Sequence, residues 1–133
     1  VGDVANSVEG GAVLVHCTAG KDRTGMVIAL IQSLLGARDD DVIATYARTQ
    51  ANLSGEWLIG MHAKLRQLAQ RDAQFAQLNV SDLDPLLAGS PPEAMRSALD
   101  WIDRTSGSAE TFLRDNGLEV DQVNVLREVL LVT

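Results

Sequence analysis

A single short apolar run, Ala12-Val13-Leu14-Val15-His16, sets the tightest limit on what this chain can fold into. It follows Gly10-Gly11, and its unbroken apolar character suits a strand buried on both faces, as in a parallel sheet, better than the alternation of a surface strand. No comparable strand signal occurs elsewhere. From Thr24 the residues Met26, Val27, Leu30, Ile31 and Leu34 recur at helical spacing, and Gly36 supplies a stop. A second helix is expected from Asp39 to Arg48, where three aspartates suit the positive end and Val42, Ile43, Tyr46 and Ala47 form a face. Ser54 caps a third, with Leu58, Met61, Leu65 and Leu68 on one stripe. Ser90-Pro91-Pro92-Glu93 joins a cap, a proline at the first helical position and a capping-box glutamate, ahead of Met95, Leu99 and Ile102. Gly107 ends that helix, Ser108 opens a short one through Asn116, and Asp121 opens a last one carrying Val123, Leu126 and Leu130. Between Phe75 and Gly89 the clearest signal is Asp84-Pro85, read as a local break.

One strand among helices is an incomplete inventory, because a lone buried strand leaves both hydrogen-bonding edges unpaired. Ala12 to His16 is therefore expected to pair with strands N-terminal to Val1. The alternatives are a weak strand hidden within a segment read as helix, or pairing supplied by a second copy of the chain. At 133 residues the chain has the size of one domain, 1–133, since domains commonly run about 100 to 150 residues. Its 46% hydrophobic and 22% charged residues exclude a mainly disordered, collagen-like or disulfide-scaffold chain. The longest apolar run, Met26 to Ile31, is far below the roughly 20 residues that cross a bilayer, and no charged-then-apolar leader opens the chain. No membrane span is expected.

A net charge of -7 repels nucleic acid and anionic lipid surfaces, so nucleic acid is not an expected partner and any bound anion must be held locally. Cys17 is the one cysteine and cannot form an internal disulfide. Neither His16 nor His62 has metal-ligand spacing with it, so no metal is expected, and no other cofactor is implied.

The chemistry lies where the strand meets the helix, in His16-Cys17-Thr18-Ala19-Gly20-Lys21-Asp22-Arg23-Thr24-Gly25. A tight loop entering a helix N-terminus turns its backbone N–H groups inward, a nest for a tetrahedral oxyanion to which the helix dipole adds. Gly20 permits the turn, and the planar fork of Arg23 can clamp two phosphate oxygens. At the floor of such a cradle the thiol of Cys17 would fall from ~8.5 into the range of roughly 3.5 to 7.5 typical of activated cysteines. These parts suit a two-step displacement: Cys17 attacks phosphorus, a phosphocysteine forms, and water releases phosphate. Asp22 is the acid close enough in sequence to protonate the leaving oxygen and then activate the water. Thr24 can donate its hydroxyl to the sulfur. Lys21 adds a second positive charge for the phosphate or for a substrate with several phosphates, or else pairs with Asp22 at the surface. His16 orients the loop or acts as a base, the former preferred because the residue before the cysteine faces away from the cradle. His62 reads as a half-exposed helix residue, and Trp57 and Trp101 as core or lid contacts. A nucleotide-binding P-loop is excluded, since Val15 stands where its first glycine belongs and Asp22 follows Lys21. A dinucleotide fingerprint fails for want of the intervening glycine.

His-Cys, five residues, then Arg-Thr-Gly resembles the phosphate-binding loop of the protein tyrosine phosphatase superfamily, and His16 to Gly25 fits at every defining position. With Ala19-Gly20-Lys21-Asp22 inside, it is similar to the bacterial branch typified by mycobacterial protein tyrosine phosphatase B. The resemblance implies an α/β fold, of which this chain would be the C-terminal, helix-rich part, with a central parallel sheet whose N-terminal strands lie outside it. It implies hydrolysis of phosphotyrosine, and of phosphoserine, phosphothreonine and phosphoinositides, with Cys17, Asp22 and Arg23 catalytic and Thr18 to Arg23 binding phosphate. His16 and Thr24 would support them. Lys21 matches the position where lipid-directed members also carry lysine. A paired-helix lid would fall, by order along the chain, at about Phe75 to Ser106. Cytoplasmic location is favoured and the resemblance allows secretion. The alternative is a phosphate-binding module without turnover, or an inactive fragment of such an enzyme that associates with its missing half.

Overall fold

The computed structural model describes residues 1–71, 77 and 79–131. Among these the regular structure is helical: α1 (Gly2–Val8), α2 (Asp22–Leu34), α3 (Asp39–Ala47), α4 (Thr49–Leu53), α5 (Glu56–Arg71), a 3₁₀ turn (Val80–Leu83), α6 (Asp84–Leu87), α7 (Pro92–Ser106), α8 (Ala109–Asp115) and α9 (Val120–Leu130). Residues 12–16 carry no secondary structure, and the expected strand is not formed within the described residues. A strand exists only as a hydrogen-bonded relation to a neighbour, and no described segment supplies one. The side chains bear this out, since Leu14 is 84% exposed and Val13 is also at the surface.

The core is organised around α2, which has one apolar cluster on each side. On one side Leu30 and Leu34 meet Ala5 and Val8 of α1, Leu113 of α8, and Val123 and Leu126 of α9. On the other, Ala29 meets Val42, Ile43 and Tyr46 of α3 and Met95 and Leu99 of α7, while Met26 touches both clusters. Helical spacing makes this possible, because positions 29, 30 and 34 cover adjoining parts of a broad apolar stripe. Two-sided packing fixes the direction of α2, and so the place of its N-terminus.

Within the span expected to form a lid, Phe75 to Ser106, the described residues form the 3₁₀ turn, α6 and α7. Phe75 lies outside the described residues. Residues 92–106 form α7, a core helix that buries Met95, Leu99 and Ile102, because its apolar positions face α3 and α8. By contrast α5 buries no residue and leaves Ile59 and Leu68 exposed; among the described residues it lies mainly against α4 and the 3₁₀ turn. Asp84-Pro85, read as a break, opens α6 instead, since proline's fixed φ suits a first helical turn. Trp101 is half exposed rather than core, set edge-on to Phe112 with ring centroids 6.0 Å apart.

His62 and Asp84 tie α5 to α6, with Nε2 2.5 Å from Oδ1. Ser90 is buried. Its hydroxyl, expected to cap α7, accepts from the Gln50 backbone N–H at 2.9 Å and donates to the Ala47 carbonyl at 3.1 Å, so Pro91 takes the N-cap position. No described helix is long and apolar enough to cross a membrane.

Candidate active site

The segment from Cys17 to Lys21 runs as a series of bends into the first turn of α2, which begins at Asp22, two residues before its apolar period does. Gly20 has φ 66°, a left-handed conformation that strains any residue with a Cβ, and it turns the chain so that successive amides point to one side. Cys17 sits partly exposed at their focus as a free thiol. Its pKa is lowered from 9.0 to about 6, first by the side chain of Thr24, then by the Thr24 backbone N–H, with smaller help from the amides of Lys21 and Gly20; partial burial opposes them. Thr24 Oγ1 is buried.

The folded protein thus holds this proton less tightly than the unfolded chain does. The linked contribution to stability is complete above about pH 9 and is lost as pH falls through about 6. In the intact protein, alkylation of Cys17 by iodoacetamide should reach half its plateau rate near pH 6 rather than near 9. Thr24→Val, which keeps the shape and removes the hydroxyl, should move that midpoint up by about one pH unit. An unmoved midpoint would remove Thr24 from the account.

The remaining residues divide between two directions. Lys21 points inward and is 3% exposed, with Nζ donating to the Leu86 carbonyl of α6 at 2.6 Å and lying 3.7 Å from Asp22 Oδ1. Asp22 points outward, its side chain 71% exposed, and accepts from the Tyr46 hydroxyl at 3.4 Å. The Lys21–Asp22 pair weighed from the sequence is therefore present, with its ammonium beneath the loop rather than at the surface. Arg23 is exposed and is not among the groups that lower the Cys17 thiol, although a guanidinium was expected there beside the amides. Thr18 and His16 are exposed, and His16 makes no side-chain hydrogen bond among the described residues. Those residues hold no cluster of His, Cys, Asp and Glu able to bind a metal.

The sequence has counterparts among known proteins. A model of the tyrosine phosphatase family matches residues 1–132. The chain belongs to the tyrosine phosphatase family. It is 35% identical over 128 residues to the triple specificity protein phosphatase PtpB of Mycobacterium tuberculosis, a match covering 92% of this chain and 45% of that protein. A protein of Cupriavidus necator, provisionally named a tyrosine-protein phosphatase, is 37% identical over 118 residues, 84% of this chain and 37% of its own. A tyrosine-protein phosphatase of Nostoc commune is 46% identical over 46 residues, 35% of this chain and 16% of its own. The chain spans less than half the length of these relatives.

As a tyrosine phosphatase family member the chain places Cys17, Gly20, Lys21 and Thr24 around one point, leaves Asp22 and Arg23 at its rim, and adds two residues that sequence reasoning missed. One is Tyr46, read only as part of an apolar face; a phenol on such a stripe must still find a partner for its hydroxyl, which was the available signal. The other is Leu86, whose backbone carbonyl receives Lys21, and no sequence signal marks a carbonyl.

Proposed function

We propose that these 133 residues carry the nucleophile, anion cradle and loop acid of a cysteine-dependent phosphomonoesterase. The observation behind the reading is the convergence of the Thr24 hydroxyl and the amides of Gly20, Lys21 and Thr24 on one sulfur at a helix mouth. Donors that favour a thiolate also favour the oxygens of a phosphoryl group. In the first step the Cys17 thiolate forms an S–P bond, the ester P–O bond breaks, and the leaving oxygen takes a proton from Asp22. In the second, water attacks phosphorus, the S–P bond breaks, Asp22 receives the water's proton, and inorganic phosphate departs with the thiolate restored. Arg23, at the rim, folds over the bound phosphoryl oxygens.

Phosphotyrosine is the first substrate class. The wider range of phosphoserine, phosphothreonine and phosphoinositides is supported by the form of the loop and by likeness to a relative named for triple specificity. Residues 12–16 join a parallel sheet whose other strands come from outside this chain, a reading supported by the exposure of Leu14 at the base of the loop.

The same exposure favours a second reading, a phosphate-binding module that does not turn over, because an unpaired strand holds the loop less firmly. The full-length protein should release phosphate from p-nitrophenyl phosphate, and orthovanadate should both inhibit that release and protect Cys17 from alkylation. Vanadate protection without any phosphate release would reject the enzyme in favour of the module.

A further inference from the structure

An exposed aspartate ordinarily samples several rotamers, yet two donors meet the same oxygen of Asp22 from the protein side. Lys21 Nζ is 3.7 Å from Oδ1 and the Tyr46 hydroxyl is 3.4 Å from it. The ammonium makes its short bond to the Leu86 carbonyl, at 2.6 Å, and stands farther from the carboxylate than the phenol does, so the phenol is the closer partner to steer it. Tyr46 is itself fixed. It is 8% exposed, and its ring packs with Ala29, Val42, Ile43, Met95 and Leu99, so that only the hydroxyl end reaches the loop.

The ring reaches the loop by passing over Gly25. A Cβ at that position would lie 2.8 Å from Tyr46 Cδ2 and 3.1 Å from Cε2, too close to be accommodated without moving the ring. The glycine that closes the His16-to-Gly25 motif therefore serves a close approach by an aromatic ring from α3. Burial, and then the charge and hydrogen bond of Asp22, raise the Tyr46 pKa above 10.0, so the phenol stays a neutral donor across neutral and mildly alkaline pH.

We propose that Tyr46 is a positioning residue for the loop acid: its hydroxyl holds Asp22 Oδ1 on the protein side, leaving Oδ2 to carry the proton that passes to the leaving oxygen. This rests on Asp22 being the general acid proposed above. The 3.4 Å separation is long for a hydroxyl–carboxylate bond, as such bonds often are before substrate arrives.

Tyr46→Phe keeps the ring and deletes the single oxygen. In the full-length protein it should lower kcat/KM for phenyl phosphate, whose leaving phenoxide needs a proton, by about tenfold. It should leave 2,4-dinitrophenyl phosphate within about twofold and inhibition by inorganic phosphate unchanged, because neither depends on an acid. Added to Asp22→Asn it should cost nothing further. Equal losses on both substrates, a loss additive with that of Asp22→Asn, or no loss on phenyl phosphate would each overturn the proposal. The underlying reading fails separately: if Asp22→Asn alone is indifferent to the leaving group, the loop acid falls and Tyr46 with it. A leaving-group-dependent Asp22→Asn beside an inert Tyr46→Phe rejects the positioning role alone.

Discussion

Cys17→Ser in the full-length protein is expected to cut phosphate release from p-nitrophenyl phosphate by on the order of 10³-fold or more while leaving inorganic phosphate bound. The asymmetry follows from what the substitution removes. The donors of Gly20, Lys21 and Thr24 are backbone and hydroxyl groups that remain in place, so the anion site survives. What is lost is an atom ionised near neutrality. A thiol lowered to about 6 is roughly nine-tenths thiolate at pH 7, whereas a serine hydroxyl stays protonated there. Release within tenfold of the parent would mean that another group attacks phosphorus. Loss of both turnover and phosphate binding would mean that the sulfur holds the loop together rather than acting on a guest.

Leu126→Ala is expected to carry the largest stability penalty, about 2–5 kcal/mol. Leu126 is 0% exposed and lies in the cluster where α9 meets α1, α2 and α8. Truncation removes apolar area from the core and leaves a cavity that helices held on several sides cannot close. Since a domain's net stability is only about 5–15 kcal/mol, the urea midpoint should fall substantially with the slope unchanged. Leu86→Ala is the control: that side chain is 72% exposed, and its loss should cost no more than about 0.5 kcal/mol. Equal penalties for the two would show that the cluster around α2 does not carry the fold.

Much of the helical layout was legible because it is periodic. The apolar spacing that marks α2, α3 and α7 is the spacing that buries Leu30, Ile43 and Leu99, and the stops at Gly36 and Gly107 fall just past the ends of α2 and α7. What escaped was short or depends on partners. α1 has too few apolar residues to announce itself and is held by Ala5 and Val8 packing toward α9. Ser54 and Ser90 read as caps, but each hydroxyl serves a neighbouring segment instead: Ser54 donates to the Ala51 carbonyl at 2.7 Å, and Ser90 joins Ala47 and Gln50. Conversely, Glu119 and Gln122 form a true capping box that the expected start at Asp121 passed over.

The site divides in the same way. The offsets within His16 to Gly25 suffice to place Cys17, Gly20 and Thr24 on one loop, since a loop's membership is local. The ranking of what acts on the sulfur is not local in that sense. The Thr24 hydroxyl leads the amides, and the Arg23 guanidinium takes no part. The Tyr46–Asp22 contact joins residues 24 apart in sequence, and only the meeting of α2 and α3 brings it about.

The burial of the Lys21 ammonium also determines how far the helix mouth can be felt by an approaching ligand. With that charge enclosed 3.7 Å from the Asp22 carboxylate, the two largely offset each other at a distance and the Arg23 guanidinium is left at the rim, on a chain whose overall sign repels anions. The attraction that remains comes from one guanidinium, set against the net charge of -7, and from peptide dipoles that die away within a few ångströms. Association with a dianion should therefore be governed by diffusion into contact, with little long-range steering for added salt to weaken.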